Sequence, residues 1–392
     1  MKILHVIANL APRYGGPAKA CFELARAVAQ RGHEVTIYTT NQDGDGELDT
    51  PLNQIIQREG VQLRFFPIQS PRFWGTSLPM ARALAQMIPT VDIVHIHSLY
   101  LFHNLIAPWL CRWYKKPYVM LPHGTLDPFL YQRHRQRKRL MEWTFENRNM
   151  RQATAIHFIT QEEQLLAQPY THNAHSVIVP LGLTLNEYDK PRPSQWLAHY
   201  YPETKDKKII LFFGRIHFKK GLDLLIPAFI ALAKQQDDIH LVIAGPDDER
   251  YADHLKHLLS VDNMLDRATF TGMIQGDEKL SLLRESYLFA LPSYSENFGI
   301  AVLEAMACRC PVLISDKVNL HHDIQQAKAG VIVPCEQNAV QQALADLLAN
   351  PFQARYYGEK GRQLVENRYQ WQQIGELMEQ TYQQLIEKHH VR

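Results

Sequence analysis

Residues 2–40 read KILHVIANLAPRYGGPAKACFELARAVAQRGHEVTIYTT, and the period of the apolar positions changes twice within them. Lys2–Ala8 is a short, nearly continuous aliphatic run, the pattern of a strand buried on both faces. From Gly15-Gly16-Pro17 the apolar residues Cys21, Leu24, Ala25 and Val28 recur at helical spacing, and Gly32 closes the segment. Val35–Thr39 resumes as strand. A strand–helix–strand unit predicts parallel pairing, because parallel neighbours need a crossover connection.

The pattern continues with strand candidates at Asp92–Ile96, Tyr118–Leu121, Ala155–Ile159 and Val177–Val179. Region 41–78 shows no clear periodicity and, with its Gly, Pro and Asp, reads as loops. After Pro191-Arg-Pro193 the alternation restarts at Ile209–Phe213, Ile239–Ala244, Leu288–Leu291, Pro311–Ser315 and Val331–Val333. The fold class is therefore α/β with two parallel-sheet domains, 1–185 and 186–370, followed by a helix over 371–392. Trp371, Ile374, Leu377, Met378 and Tyr382 form an apolar stripe in that tail. Ligands of open parallel sheets bind at the carboxyl ends of strands, so the cleft between the domains is the expected site.

A chain of 392 residues, 46% hydrophobic and 21% charged, is neither disordered nor fibrous. Apolar runs such as Ile209–Phe213 fall far short of the roughly 18 residues that span a bilayer, and the N-terminus lacks a secretory core. A cytoplasmic protein is expected, with Cys21, Cys111, Cys308, Cys310 and Cys335 as reduced thiols. Residues 1–185 hold 19 Lys+Arg against 13 Asp+Glu, leaving 23 against 27 for the remainder. The basic half contains a dense run, Arg133, Arg135, Arg137, Lys138 and Arg139, followed by Leu140, Met141, Trp143 and Phe145. This is either a solvated helix face or a contact for anionic lipid headgroups at the inner face of a membrane. Near-neutral total charge and the lack of interleaved aromatic platforms argue against nucleic acid.

Three stretches carry chemistry. Gly15 and Gly16, between the first strand and its helix, let backbone N–H groups approach an anion; a structural turn is an equal reading. Gly214-Arg-Ile-His-Phe-Lys-Lys-Gly221 follows a strand and places Arg215, Lys219 and Lys220 where a diphosphate would lie. These cations could stabilise charge on a leaving group with no metal. Glu296-Asn-Phe-Gly-Ile-Ala-Val-Leu-Glu304 sets two carboxylates around a strand-to-helix junction. Hydrolysis of a glycoside would also use two carboxylates, but it needs no neighbouring phosphate site. Asp43-Gly-Asp45 looks like a metal motif, yet its polar surroundings make it a solvated turn. No metal and no cofactor are expected.

Together, Gly15-Gly16, Pro122-His123-Gly124, Gly214-Arg215 with Lys220, and Glu296–Glu304 resemble the retaining glycosyltransferases of family 4 over nearly the whole chain. The resemblance implies the GT-B fold, two facing Rossmann-like domains with a cleft between them and a C-terminal helix that crosses back to the first. It implies transfer of a sugar from a nucleoside-diphosphate-sugar to a hydroxyl acceptor, with bacterial relatives often using lipid-linked saccharides in polysaccharide synthesis. Glu296 would accept hydrogen bonds from donor sugar hydroxyls and Glu304 from the ribose. His123 would face the sugar near the reaction centre. Gly16, Gly214, Arg215 and Lys220 fall to the diphosphate, main-chain groups of Gly272, Met273 and Ile274 to the base, and Phe298, Gly299 and Ile300 to the sugar. Another enzyme of the same fold, an epimerase or a phosphorylase, and a non-catalytic nucleotide-sugar-binding protein are the competing readings. The chain departs from the family at Val179-Pro-Leu-Gly-Leu-Thr184, where members commonly have Val-Pro-Asn-Gly and an acid, so no role is carried over there.

Overall fold

The computed structural model describes residues 1–131, 135–190 and 195–391; Arg133 and the sequence break at Pro191–Pro193 lie outside them. The chain forms two compact units, Met1–Gly182 together with the segment from Trp371 onward, and Leu183–Gln370. The division falls at 182/183, three residues before the boundary read from the sequence.

In the first unit the strands of the main sheet are β1 (Lys2–Asn9), β2 (Glu34–Thr40), β3 (Ile55–Arg58), β4 (Val61–Phe66), β5 (Ile93–His97), β6 (Tyr118–Leu121), β7 (Ala155–Phe158) and β8 (Ser176–Ile178). They form one sheet in the order β8-β7-β6-β5-β1-β2-β4-β3. Every pair is parallel except β3 with β4. The loop reading of 41–78 is thus corrected, since it contains the β3–β4 hairpin. Val61, Leu63 and Phe65 turn inward while Gln62 and Arg64 are half-exposed, a period-two signal too short to stand out from its polar flanks.

The second unit holds β9 (Lys208–Phe213), β10 (Ile239–Ala244), β11 (Ala268–Gly272), β12 (Leu288–Leu291), β13 (Val312–Ser315) and β14 (Val331–Val333), all parallel in the order β11-β10-β9-β12-β13-β14. Each sheet is wound the same way. The chain builds outward on one side of its first strand and then returns to the other side, so the connections diverge between β1 and β5 and between β9 and β12. Such switch points open a crevice past the carboxyl ends of the strands.

Helices used below are α1 (Gly16–Ala29), α2 (Leu222–Ala233), α3 (Gly276–Glu285), α4 (Ile300–Ala307), α5 (Pro351–Arg368) and α6 (Trp371–Val391). The helix expected over 371–392 is α6, and α5 precedes it. Within the first unit α6 packs on α1, and a side chain at Gly375 would lie 2.8 Å from the Ala27 carbonyl oxygen. Trp371, Ile374, Met378 and Tyr382 are buried as the stripe requires, whereas Leu377 sits at its margin and is exposed.

The first unit carries an unusual polar load. His5, His95, His97, His103 and His157 are fully buried, and burial pushes His5 down to about 3, His103 and His157 to about 4, and His95 and His97 well below the ordinary value. Their folded pKa values lie below the unfolded one, so the unfolded chain binds more protons under about pH 6.5, and stability present above that pH is lost as pH falls toward 4. Buried Glu146, raised to about 8, has the opposite sign between its two pKa values, one group against five. Unfolding followed by tryptophan fluorescence, with five of six reporters in this unit, should give a lower midpoint at pH 5 than at pH 7.5; equal midpoints would contradict the neutral assignment.

Candidate functional site

The second unit brings most of the motif residues together. At the end of β9 the loop 214–221 is pressed against the loop that leaves β12. Gly221 has φ +69°, and a side chain there would meet the Pro292 carbonyl oxygen at 1.9 Å, so only glycine permits this approach. Tyr294 fastens the two loops, its N–H donating to Lys219 O at 2.8 Å and its hydroxyl to Asp223 Oδ2 at 2.9 Å. Lys220 Nζ donates to Glu296 Oε2. The backbone of Glu296 is fixed from the other side, its N–H donating to Lys317 O and its carbonyl accepting from Asn319 N, each at 3.0 Å. Arg215 leaves the end of β9 exposed.

Gly299, at φ +79°, turns the chain into α4 without any side-chain cap. The first amides of a helix lack partners within it and carry positive potential, a setting for an anion. Phe298 is buried and stacks edge-on with Tyr369 at 6.1 Å, so its main chain, not its ring, can meet a ligand. Ile300 begins α4. Glu304, one turn on, is only 3% exposed and accepts from Lys279 Nζ at 2.8 Å and Tyr188 Oη at 3.1 Å. Neither partner was read from the sequence. Lys279 sits in an ordinary amphipathic helix, α3, and Tyr188 lies 116 residues from its acceptor. At the end of β11, Gly272 accepts from Gly245 N–H at 2.8 Å, Met273 is exposed and Ile274 buried. Gly214 donates its N–H to Ala244 O.

The first unit places Gly15 and Gly16 between β1 and α1, where an added side chain at either would meet nothing within 4 Å. The carboxyl ends of β5 and β6 are strained. Ser98, Tyr100 and His123 all have left-handed backbones, at φ 67°, 65° and 52°, a conformation that non-glycine residues keep only where the surroundings enforce it. Buried Glu163 does so for His123, accepting from Gly124 N at 2.6 Å and Ile159 N at 2.8 Å. Neither Glu163 nor the Ser98 and Tyr100 strain had a sequence signal. His123 bonds on to His97, with 3.0 Å between Nε2 and Nδ1.

His5, Cys21 and His97 have donor atoms within 4.8 Å of one another. They do not suit a metal, because the two rings already bond each other at 2.9 Å and burial pushes the thiol well up. Asp43 lies in a two-residue hairpin with Gly46–Glu47 and faces Arg13 at 3.4 Å.

In the basic segment Arg135, Arg137 and Arg139 are exposed, but Arg137 lies over Phe73 at 5.4 Å and Lys138 over Tyr100 and Tyr131. Leu140 and Trp143 are exposed beside them, and Trp109 and Trp113 stack on the surface of the neighbouring helix Phe102–Trp113. No helix of the described residues is long and apolar enough to cross a membrane.

Two family models match the chain, Glycosyl transferases group 1 over residues 200–364 and Glycosyltransferase Family 4 over residues 14–187. Among curated proteins, an uncharacterized glycosyltransferase of Methanocaldococcus jannaschii is 26% identical over 99% of both chains. A GDP-mannose:cellobiosyl-diphosphopolyprenol alpha-mannosyltransferase of Komagataeibacter xylinus is 23% identical over 98% of this chain and 94% of its own. Among solved structures, sucrose-phosphate synthase of Thermosynechococcus elongatus superposes with a TM-score of 0.78 at 21% identity, covering 99% of this chain and 100% of the other. Anabaena HepE in complex with UDP and glucose gives 0.76 at 17%, covering 98% and 100%. These likenesses establish the GT-B fold.

Lys279→Met should leave a buried carboxylate without its cation and cost about 3 kcal/mol of stability in the second unit. Adding Glu304→Gln should restore most of that loss. Denaturant unfolding of the single and double variants checks this; costs that simply add would show that the two groups are not coupled.

Proposed function

The chain belongs to the group 1, family 4 glycosyltransferases, and on that premise we propose that it moves a sugar from a nucleoside diphosphate to a hydroxyl acceptor with retention of configuration. The observation that carries this reading is the Lys220–Glu296 pair set against the uncapped N-terminus of α4, beside the exposed Arg215. A diphosphate takes Arg215 and Lys220, with the amides that open α4 as further donors. As the bond to the sugar breaks, negative charge gathers on the departing phosphate oxygen, and fixed cations stabilise it more than they stabilise the intact donor.

Glu296 then holds sugar hydroxyls, since a carboxylate accepts from vicinal O–H groups. Lys220 is poised between that carboxylate and the phosphates. Glu304, anchored by Lys279 and Tyr188, takes the ribose hydroxyls. Main-chain groups of Gly272, Met273 and Ile274 take the base, and Gly299 and Ile300 border the sugar. No metal enters this scheme. Arg215→Ala should lower kcat/KM by roughly 10²- to 10³-fold with an unchanged circular dichroism spectrum, measured as nucleoside diphosphate release across UDP-, GDP- and ADP-sugars. Near-normal turnover would remove the assignment. A protein that binds a donor in calorimetry yet releases no diphosphate with any acceptor would be the non-catalytic alternative.

For the acceptor we propose a lipid-linked saccharide reached at an anionic membrane surface. Exposed Trp109, Trp113, Leu140 and Trp143 beside Arg135, Arg137 and Arg139 combine apolar anchors with cations, each cation contributing about 1 kcal/mol near such a surface. Co-sedimentation with vesicles containing anionic lipid should fall sharply when the three arginines become glutamates. Binding indifferent both to lipid charge and to this reversal would discard the surface.

A further inference from the structure

The buried histidines of the first sheet form one continuous hydrogen-bonded file. It starts at His123 Nε2, 3.0 Å from His97 Nδ1, and continues from His97 Nε2 to His5 Nδ1 at 2.9 Å. His5 Nε2 lies 3.4 Å from the Tyr382 hydroxyl, which is 2.7 Å from His95 Nδ1. His95 Nε2 reaches His157 Nδ1 at 3.3 Å, and His157 Nε2 ends the file on the Val179 carbonyl oxygen at 2.7 Å. Four rings come from β1, β5 and β7, and the hydroxyl comes from α6.

The far end decides the direction of every bond. A carbonyl oxygen only accepts, and a neutral imidazole has one N–H and one lone pair. His157 must therefore donate from Nε2, which leaves its Nδ1 as an acceptor for His95 Nε2–H. His95 Nδ1 in turn accepts the Tyr382 O–H, and the Tyr382 oxygen accepts from His5 Nε2–H. The same logic makes His97 donate to His5 and His123 donate to His97. Reversing the file would set the His157 lone pair against the carbonyl lone pairs. An imidazolium would need a second acceptor, which a file of neutral rings does not offer, and burial of the rings opposes the charge.

We propose that this file fixes His123 as the Nε2–H tautomer, so that its Nδ1 lone pair is held ready to accept a hydrogen bond from a hydroxyl of a bound sugar. Tyr382, on the C-terminal helix, becomes a positioning residue for that contact. No protein group among the described residues bonds His123 Nδ1, and the ring keeps part of its surface. The contact with a sugar rests on the glycosyltransferase reading; the tautomer does not.

The test reads the tautomer directly. Long-range proton–nitrogen correlation on the full-length protein with ¹⁵N-labelled histidine, assigned by comparison with His123→Gln, should show Nε2 protonated and Nδ1 bare at pH 7.5 without any ligand. A protonated Nδ1, or an even mixture, in the wild-type protein would overturn the proposal whether or not any variant folds. Tyr382→Phe removes the link that passes polarity from His95 to His5. It should return His123 to a mixture of tautomers and lower kcat by about tenfold, the scale of one hydrogen bond, with little change in the acceptor KM. A folded Tyr382→Phe protein with an unchanged His123 tautomer would refute the file as its cause. An ordered His123 in a protein that transfers no sugar would instead refute the reading of function and leave the file standing.

Discussion

The constraint on which the rest depends is parallel strand pairing in both sheets. Parallel strands buried on both faces need a helical crossover for each step, and the crossovers deliver every connecting loop of one kind to the same edge. Because the winding of each sheet reverses at its first strand, the loops after β9 and β12 part in opposite directions. Charged residues can stand in that gap without entering the core. Tight turns then fix them. The contact of Gly221 with Pro292 and the Tyr294 bonds convert two loops into one rigid edge on which Lys220 and Glu296 meet.

The two ion pairs of this edge differ in kind. Lys279–Glu304 is deeply enclosed, with side chains 18% and 4% exposed, whereas Lys220–Glu296 is more open, at 23% and 19%. A buried pair adds little net stability relative to apolar replacements but costs heavily when one partner is lost. The enclosed pair is thus suited to hold a carboxylate in place. In the open pair the lysine keeps part of its surface in water while the glutamate backbone is bonded to Lys317 and Asn319.

The sequence made legible whatever depends on near neighbours. Continuous aliphatic runs marked β1, β9 and β10, and the spacing of Gly299, Glu296 and Glu304 placed the helix junction correctly, since α4 begins at Ile300. Short alternation hid β4, because in a strand of six residues the pattern spans only Val61–Phe65 before Phe66 breaks it. Lys279, Tyr188 and Glu163 were invisible for a different reason. Each acts on a group far along the chain, and no local pattern distinguishes a lysine that reaches a buried carboxylate from one that faces water. His123 was singled out only by family resemblance. The strain at Ser98 and Tyr100 likewise leaves no trace in residue type.

The histidines show how the first unit differs in strategy from the second. In the second sheet His240 bonds Thr269 at 2.9 Å, and apart from Ser315 the other buried strand residues are apolar. In the first, four rings cross the sheet interior, where an unpaired imidazole would cost the full desolvation of its nitrogens. That burden is tolerable only because each ring's donor and acceptor find partners along the file, so the removal of any member strands two neighbours. Such a network resists partial rearrangement. It ends at a left-handed residue whose following amide is pinned by Glu163. His123 is therefore held from beneath by the file and from the side by a carboxylate before any ligand arrives.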